Sequence, residues 1–252
     1  MADSQLRPSR RKGRHGKAGE PASAKAPPRV PSTGARGADA EELTTHEKVY
    51  RTLRQRILTG GFLPGRSVTL RGLAQQLGVS PMPVREAVRR LIAERALELH
   101  DNRRVSVPAM TQEKFAEMVF ARRTLEPELA ARALPNCRLA HVAELRRIDD
   151  GIDQCMAAGD TEGYMRLNHQ FHFTLYRLSG AATLLALTES IWLQFGPFMR
   201  VVYGRFGTAN LVDQHVLAID ALVAGDEAAL RRAVTEDIMQ GMRFIGEEAL
   251  RC

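Results

Sequence analysis

Cysteine is scarce in this chain of 252 residues. Its three cysteines, Cys137, Cys155 and Cys252, are far apart and odd in number, which excludes a disulfide framework and a Cys-x-x-Cys zinc site. Missing too is any apolar run near the roughly 20 residues that a bilayer span requires, so no membrane protein is expected. The N-terminus, MADSQLRPSRRKGRHGKAGE, carries basic residues without the apolar stretch of a secretory signal. There is no glycine-rich phosphate loop, and no glutamate or serine is placed as a base or nucleophile. A cytoplasmic protein is the expectation. Its 44% hydrophobic and 26% charged residues exclude wholesale disorder.

What is present is positive charge, unevenly spread. The formal net charge is +7, but residues 1–40 hold nine Lys/Arg against three Asp/Glu, and residues 41–110 hold twelve against seven. Residues 111–252 reverse the balance, with fifteen against nineteen. A basic front joined to a mildly acidic back places any polyanion partner at the front. Residues 1–42 are rich in Pro, Gly, Ala, Ser, Lys and Arg, too polar to offset their ordering entropy, and read as a disordered tail. That tail is either a solubilising extension or a non-specific DNA-binding arm.

Residues 43–109 read as a small basic domain. Val49, Leu53 and Ile57 recur every four residues and draw one apolar stripe on a helix starting near Thr45, which Gly60-Gly61 ends. Thr69 caps a second, short helix that Gly78 breaks, and Ser80 is positioned as the next N-cap. The third helix opens with Pro81 and Pro83, acceptable because first-turn N–H groups have no intrahelical partner. Val84, Ala87, Val88 and Leu91 form its inner face, leaving Met82, Arg85, Glu86, Arg89 and Arg90 outside. Helix, glycine turn and arginine-bearing helix make the plan of a helix-turn-helix, whose second helix enters the major groove N-terminus first. Leu97/Leu99 and Val105/Val107 then alternate around a small hairpin or wing with Arg103 and Arg104 at its tip. Arginines converging on recognition helix and wing point to double-stranded DNA.

The run GVSPMPVREAVRRL, within a stretch of about 65 residues, resembles the winged helix of GntR-superfamily transcriptional regulators. The resemblance implies that Arg71 and Arg85 contact the operator, that Ser80 and Met82 lie at the recognition-helix tip, and that the wing enters the minor groove. Many relatives carry an arginine directly after the serine. This chain has Pro81 instead, which removes a base-reading side chain.

Residues 111–252 show no strand-like alternation. Six helical stretches are expected near 112–134, 138–157, 161–179, 182–204, 208–223 and 226–249, with Pro135, Gly159, Gly180, Gly207 and Gly225 near the joints. The whole chain is therefore read as mostly α, a winged helix-turn-helix followed by an all-α bundle. Polar residues interrupt the bundle's apolar stripes. Asn168 and His172, four apart, present two donor atoms to one point; His215 and Asp237 interrupt the stripes of two other helices. Inward N and O donors from three helices can make a bundle-core metal site. They can equally make a hydrogen-bonded polar core with no metal.

This region resembles the FCD ligand-binding domain of FadR-type GntR regulators. Those domains carry an Asp/Asn-x3-His pair and two further histidines. Here His215 follows His172 by 43 residues, and Asp237 follows His215 by 22, standing where the last histidine is usual. The resemblance implies a divalent metal on Asn168, His172, His215 and Asp237. Oxygen in place of one nitrogen disfavours zinc or nickel relative to manganese or magnesium. RRTLE at 122–126 resembles the family's first-helix signature, in which Arg122 faces a carboxylate effector; a structural salt bridge is the other reading of that arginine. The function expected is a homodimeric, effector-responsive repressor. Two rival classes are a metal-dependent enzyme acting on small carboxylates and a non-specific, nucleoid-type DNA binder.

Overall fold

The computed structural model describes residues 44–206 and 212–249. The basic tail, residues 207–211 and Cys252 lie outside the described residues. The first helix, α1 (Thr45–Leu58), starts where the Thr44 hydroxyl accepts the Glu47 N–H at 3.3 Å, and it buries Val49, Leu53 and Ile57 as the stripe requires. It ends at Gly60, whose φ of +71° suits glycine and whose missing Cβ makes room for the Arg200 side chain.

A two-residue strand, β1 (Val68–Thr69), leads into α2 (Leu70–Leu77), capped by the Thr69 hydroxyl on the Gly72 N–H at 3.0 Å. After the left-handed Gly78 comes α3 (Pro81–Ala93), with Val84, Ala87, Val88 and Leu91 buried. Ser80 stands at the N-cap, but its side chain makes no capping bond. Val79 between the two helices is half-buried. Strands β2 (Glu98–Leu99) and β3 (Arg104–Ser106) form the wing hairpin. The sheet has three antiparallel strands in the order β1-β3-β2, with Val105 opposite both Val68 and Leu99. The sequence reading has two strands here; two residues of β1 are too few to display a period.

The bundle consists of α4 (Gln112–Ala133), α5 (Leu139–Ala158), α6 (Thr161–Arg177), α7 (Ala182–Phe206), α8 (Gln214–Ala224) and α9 (Glu227–Ala249), with one 3-10 turn, Leu134–Asn136, after α4. The expected helix at 208–223 needs correction: Val212 and Asp213 are not helical, and α8 begins at Gln214 because the Asp213 carboxylate caps the Val216 N–H at 3.0 Å. Within the bundle α4 packs on α9, α5 on α6, and α8 on α9. None of the described helices is long and apolar enough to cross a membrane.

One continuous apolar core runs from Val49 and Leu53 in α1 to Ile238 and Met242 in α9. The winged helix joins it chiefly through α1 against α7. There Gly196 lets α7 come close to the Leu58 backbone, Arg54 pairs with Glu189 at 3.1 Å, and Arg200 donates to the Thr59 carbonyl at 3.4 Å. The joint at Pro108-Ala109-Met110 has no regular structure, yet Met110 is itself buried in the core.

Candidate DNA face and bundle-core site

The exposed face of α3 carries Pro81, Met82, Arg85, Glu86, Arg89 and Arg90. Their freedom differs. Arg90 is held in place, its guanidinium 3.6 Å over the Tyr50 ring and bonded to Glu47 at 2.9 Å. Arg89 touches Glu86 at 3.4 Å, an exposed pair worth little. Arg85 and Arg71 are exposed and, among the described residues, carry no ion pair or hydrogen bond. In the wing, Arg103 occupies a left-handed turn position, φ +59°, and is exposed. Arg104 donates from Nε and Nη2 to the hydroxyl and carbonyl of Ser67, both at 2.7 Å, which ties β3 to the segment before β1. Sequence reasoning places Arg103 and Arg104 together; the fold leaves the first free and commits the second.

The second site lies in the bundle core. His172 on α6, His215 at the start of α8 and Asp237 on α9 come together, their candidate ligand atoms within 4.8 Å of one another. Nε2 of His172 lies 3.2 Å from Asp237 Oδ2 and 3.4 Å from Nε2 of His215, which is 3.8 Å from Asp237 Oδ1. Asn168 is buried one turn before His172 on the same helix. Phe171 stacks on His215 with ring centroids 4.0 Å apart. A second group of possible ligands, Asp149, Asp213 and His215, shares the same imidazole from its other side.

The outward nitrogens fix the proton positions. Nδ1 of His215 is 3.0 Å from the Asp149 carboxylate, which can only accept, so Nδ1 carries hydrogen. Nδ1 of His172 is 3.0 Å from the Tyr176 hydroxyl, which itself donates to Glu126 Oε2 at 2.9 Å. Burial and the Glu126 charge push the Tyr176 phenol well above its ordinary range, so that proton stays on oxygen and His172 Nδ1 is again the donor. Each neutral imidazole is left with a bare Nε2. Two lone pairs and a carboxylate then converge with no donor among them, an arrangement that is satisfied by a cation or by added protons. The donor set fits a divalent metal: two imidazoles and one carboxylate, each imidazole oriented by an outer partner.

Without an ion, the charges favour the other way of satisfying this cluster, added protons. Burial would raise the Asp237 pKa, but the charge and hydrogen bond of His172, with His215 and Arg122 beyond, hold it down at about 2. Burial disfavours a charged His215, yet the Asp149 hydrogen bond and the charges of Asp237, Asp149 and Asp213 outweigh it and raise its pKa. Asp237 keeps 26% of its side chain exposed.

Arg122 closes the site on the α4 side. It is buried and grips Glu126 in a fork, Nε to Oε1 at 2.5 Å and Nη2 to Oε2 at 3.3 Å. Its guanidinium carbon lies 4.0 Å over the Phe195 ring and 4.9 Å over the Trp192 ring, both on α7. A hydrogen-bonded chain therefore runs Arg122–Glu126–Tyr176–His172 and reaches Asp237, His215 and Asp149. Glu126, Tyr176 and Asp149 are absent from the sequence-based site. The only available signal was the spacing of four between Arg122 and Glu126, which places both on one helix face.

Next to this chain His169 stacks on Phe173, and its buried Nε2 has no hydrogen-bond partner among the described residues. Burial, with the charges of Arg54, Arg177 and His172, pushes its pKa down to about 3. Folded His169 stays neutral while the unfolded chain takes up a proton near pH 6.5, so this group leaves stability intact above pH 6.5 and erodes it from there down to about 3. At pH 5 the loss from this group should be about 2 kcal/mol. Urea unfolding at pH 7 and pH 5 checks it: His169→Gln should lose that much less stability than the parent between the two. Equal losses would mean that His169 protonates freely in the folded protein.

Comparison with known proteins agrees with both halves of this description. Residues 45–107 match bacterial regulatory proteins of the gntR family, and residues 117–239 match the FCD domain. An uncharacterised HTH-type transcriptional regulator of Streptomyces ambofaciens is 30% identical over 204 residues, 77% of this chain and 85% of its own length. The HTH-type transcriptional regulator McbR of Escherichia coli (strain K12) is 28% identical over 204 residues, 80% of this chain and 92% of that protein. The solved structure of McbR/YncC superposes with a TM-score of 0.77 at 27% identity, covering 82% of this chain and 99% of that one. The HTH-type transcriptional repressor GlaR of the same strain is 23% identical over 205 residues, 78% of this chain and 93% of that protein.

Proposed function

This chain belongs to the gntR family of bacterial regulatory proteins, with an FCD domain behind its winged helix, and from that premise we propose a repressor that a small carboxylate releases from its operator. It is a DNA-binding regulator, and its relatives above are regulators rather than enzymes. In this reading it acts in the cytoplasm as a homodimer, because two-fold operators are matched by two-fold proteins and one winged helix offers little interface. Arg85 and Arg71 meet the operator from the helix-turn-helix, with Arg89, Ser80 and Met82 beside them. Arg103 reaches it from a wing that Arg104 braces.

In the bundle, His172, His215 and Asp237 hold a divalent ion, zinc, nickel or manganese, with Asn168 as a fourth ligand. The ion supplies a positive charge for an anionic effector. Arg122 offers that effector the Nη1 edge that Glu126 does not take, beside the Trp192 and Phe195 rings. The observation that carries the DNA half is the set of exposed, uncommitted arginines on the helix-turn-helix and wing, Arg71, Arg85 and Arg103. It is tested directly. Arg85→Ala should weaken operator binding by about 1–3 kcal/mol in mobility-shift titrations, while the folded content of the protein is unchanged. Unaltered affinity would remove α3 from the interface.

A further inference from the structure

The leading turn of α3 is apolar, and this bears on which base the protein reads. Ser80 carries the only side-chain hydroxyl at the tip. Pro81 follows, exposed, with neither a side-chain donor nor an N–H; Met82 is 63% exposed; Pro83 is buried against the domain. The first cation on this face is Arg85, nearly one turn further along. Met82 is the most exposed large hydrophobic side chain among the described residues of the winged helix, ahead of Leu99 and Leu63. The two prolines fix the backbone on either side of it, so its Cα is firmly held while the unbranched thioether can adapt. Its neighbours on this basic domain argue for a polyanion partner rather than an apolar one.

A helix that enters the major groove N-terminus first brings this tip nearest the base edges. Every polar group on those edges needs a donor or acceptor opposite it; Pro81 supplies neither and Met82 only a weakly accepting sulfur. The one apolar feature the major groove displays is the C5 methyl of thymine. We propose that Met82 is a specificity-determining residue that packs on a thymine methyl in each operator half-site. This rests on the operator-binding reading above and adds to it the chemical group that is recognised.

Replacing thymine by deoxyuridine removes that methyl and leaves every hydrogen-bonding group in place, so it isolates the contact. Operator duplexes are first selected from random DNA with the full chain. Each thymine is then replaced singly by deoxyuridine, and affinities are measured for the parent, Met82→Ala and Met82→Gln. For the parent, a single replacement at the contacted thymine of either half-site should weaken binding about fourfold, the worth of one buried methyl. Met82→Ala should bind the parent duplex more weakly and be indifferent to deoxyuridine there. Met82→Gln should be indifferent too, which shows that length alone does not make the contact. A parent protein insensitive to all the replacements, or a Met82→Ala variant with undiminished sensitivity, would overturn the proposal. Failure of selection to enrich any sequence is a different result: it would overturn the operator-binding reading itself.

Discussion

Arg122→Ala is expected to remove about 3–5 kcal/mol of folding free energy, because it strands the Glu126 carboxylate in the core. The pair is buried on both sides, and the carboxylate has Tyr176 as its other partner. The phenol supplies a hydrogen bond but no charge. Denaturant unfolding should register the whole loss. In a chain of this size the melting temperature should fall by about 10 °C. A second variant separates charge from packing: Arg122→Met together with Glu126→Leu should regain most of the stability, since a well-packed apolar pair often matches a buried ion pair. A loss below about 1 kcal/mol in Arg122→Ala would mean that Glu126 meets water or takes a proton at little cost.

The second large effect concerns the ion. Protein purified without a histidine tag and stripped with chelator should be stabilised by zinc, nickel or manganese supplied alone. The gain should approach about 4 kcal/mol when free ion exceeds Kd a thousandfold. His215→Ala should abolish it, and elemental analysis should find stoichiometric ion in the parent only. Asp149→Asn should weaken the gain without abolishing it, because an outer partner orients the imidazole but does not hold the ion. Acid should strip the ion, since imidazole must be neutral to coordinate. No bound ion and no stabilisation by any of the three would leave protons shared between His172, His215 and Asp237.

Much of this was legible in the order of residues. Apolar stripes place α1, α3 and most of the bundle, because helices of ten residues or more repeat their burial pattern several times. The polar interruptions at His172, His215 and Asp237, which meet in the bundle core, were visible for the same reason: each breaks a period already established. The outer partners had no such signal. Asp149 lies in RRIDDG among charged residues that look like any solvated face, and only the docking of α8 gives it His215. Tyr176 reads as core until Glu126 arrives from another helix. Likewise nothing local distinguishes Arg104 from Arg103; the difference is made by Ser67, which lies 37 residues upstream of Arg104. Tertiary pairing decides these roles, and pairing is not periodic.

Helix α7 carries Trp192 and Phe195 against Arg122 on one side and meets α1 of the winged helix through Glu189, Gly196 and Arg200 on the other. A single helix thus borders both places, and in the proposed function effector and operator bind the same chain, so their affinities are linked. By whatever factor a bound effector lowers affinity for the operator, bound operator lowers affinity for the effector by the same factor. In the proposed function, the protein sitting on its operator is therefore harder for the effector to reach than the protein free in solution. A dissociation constant measured for such an effector on free protein would then overstate the sensitivity of the operator-bound copies, and the concentration needed for release would rise with the strength of the operator.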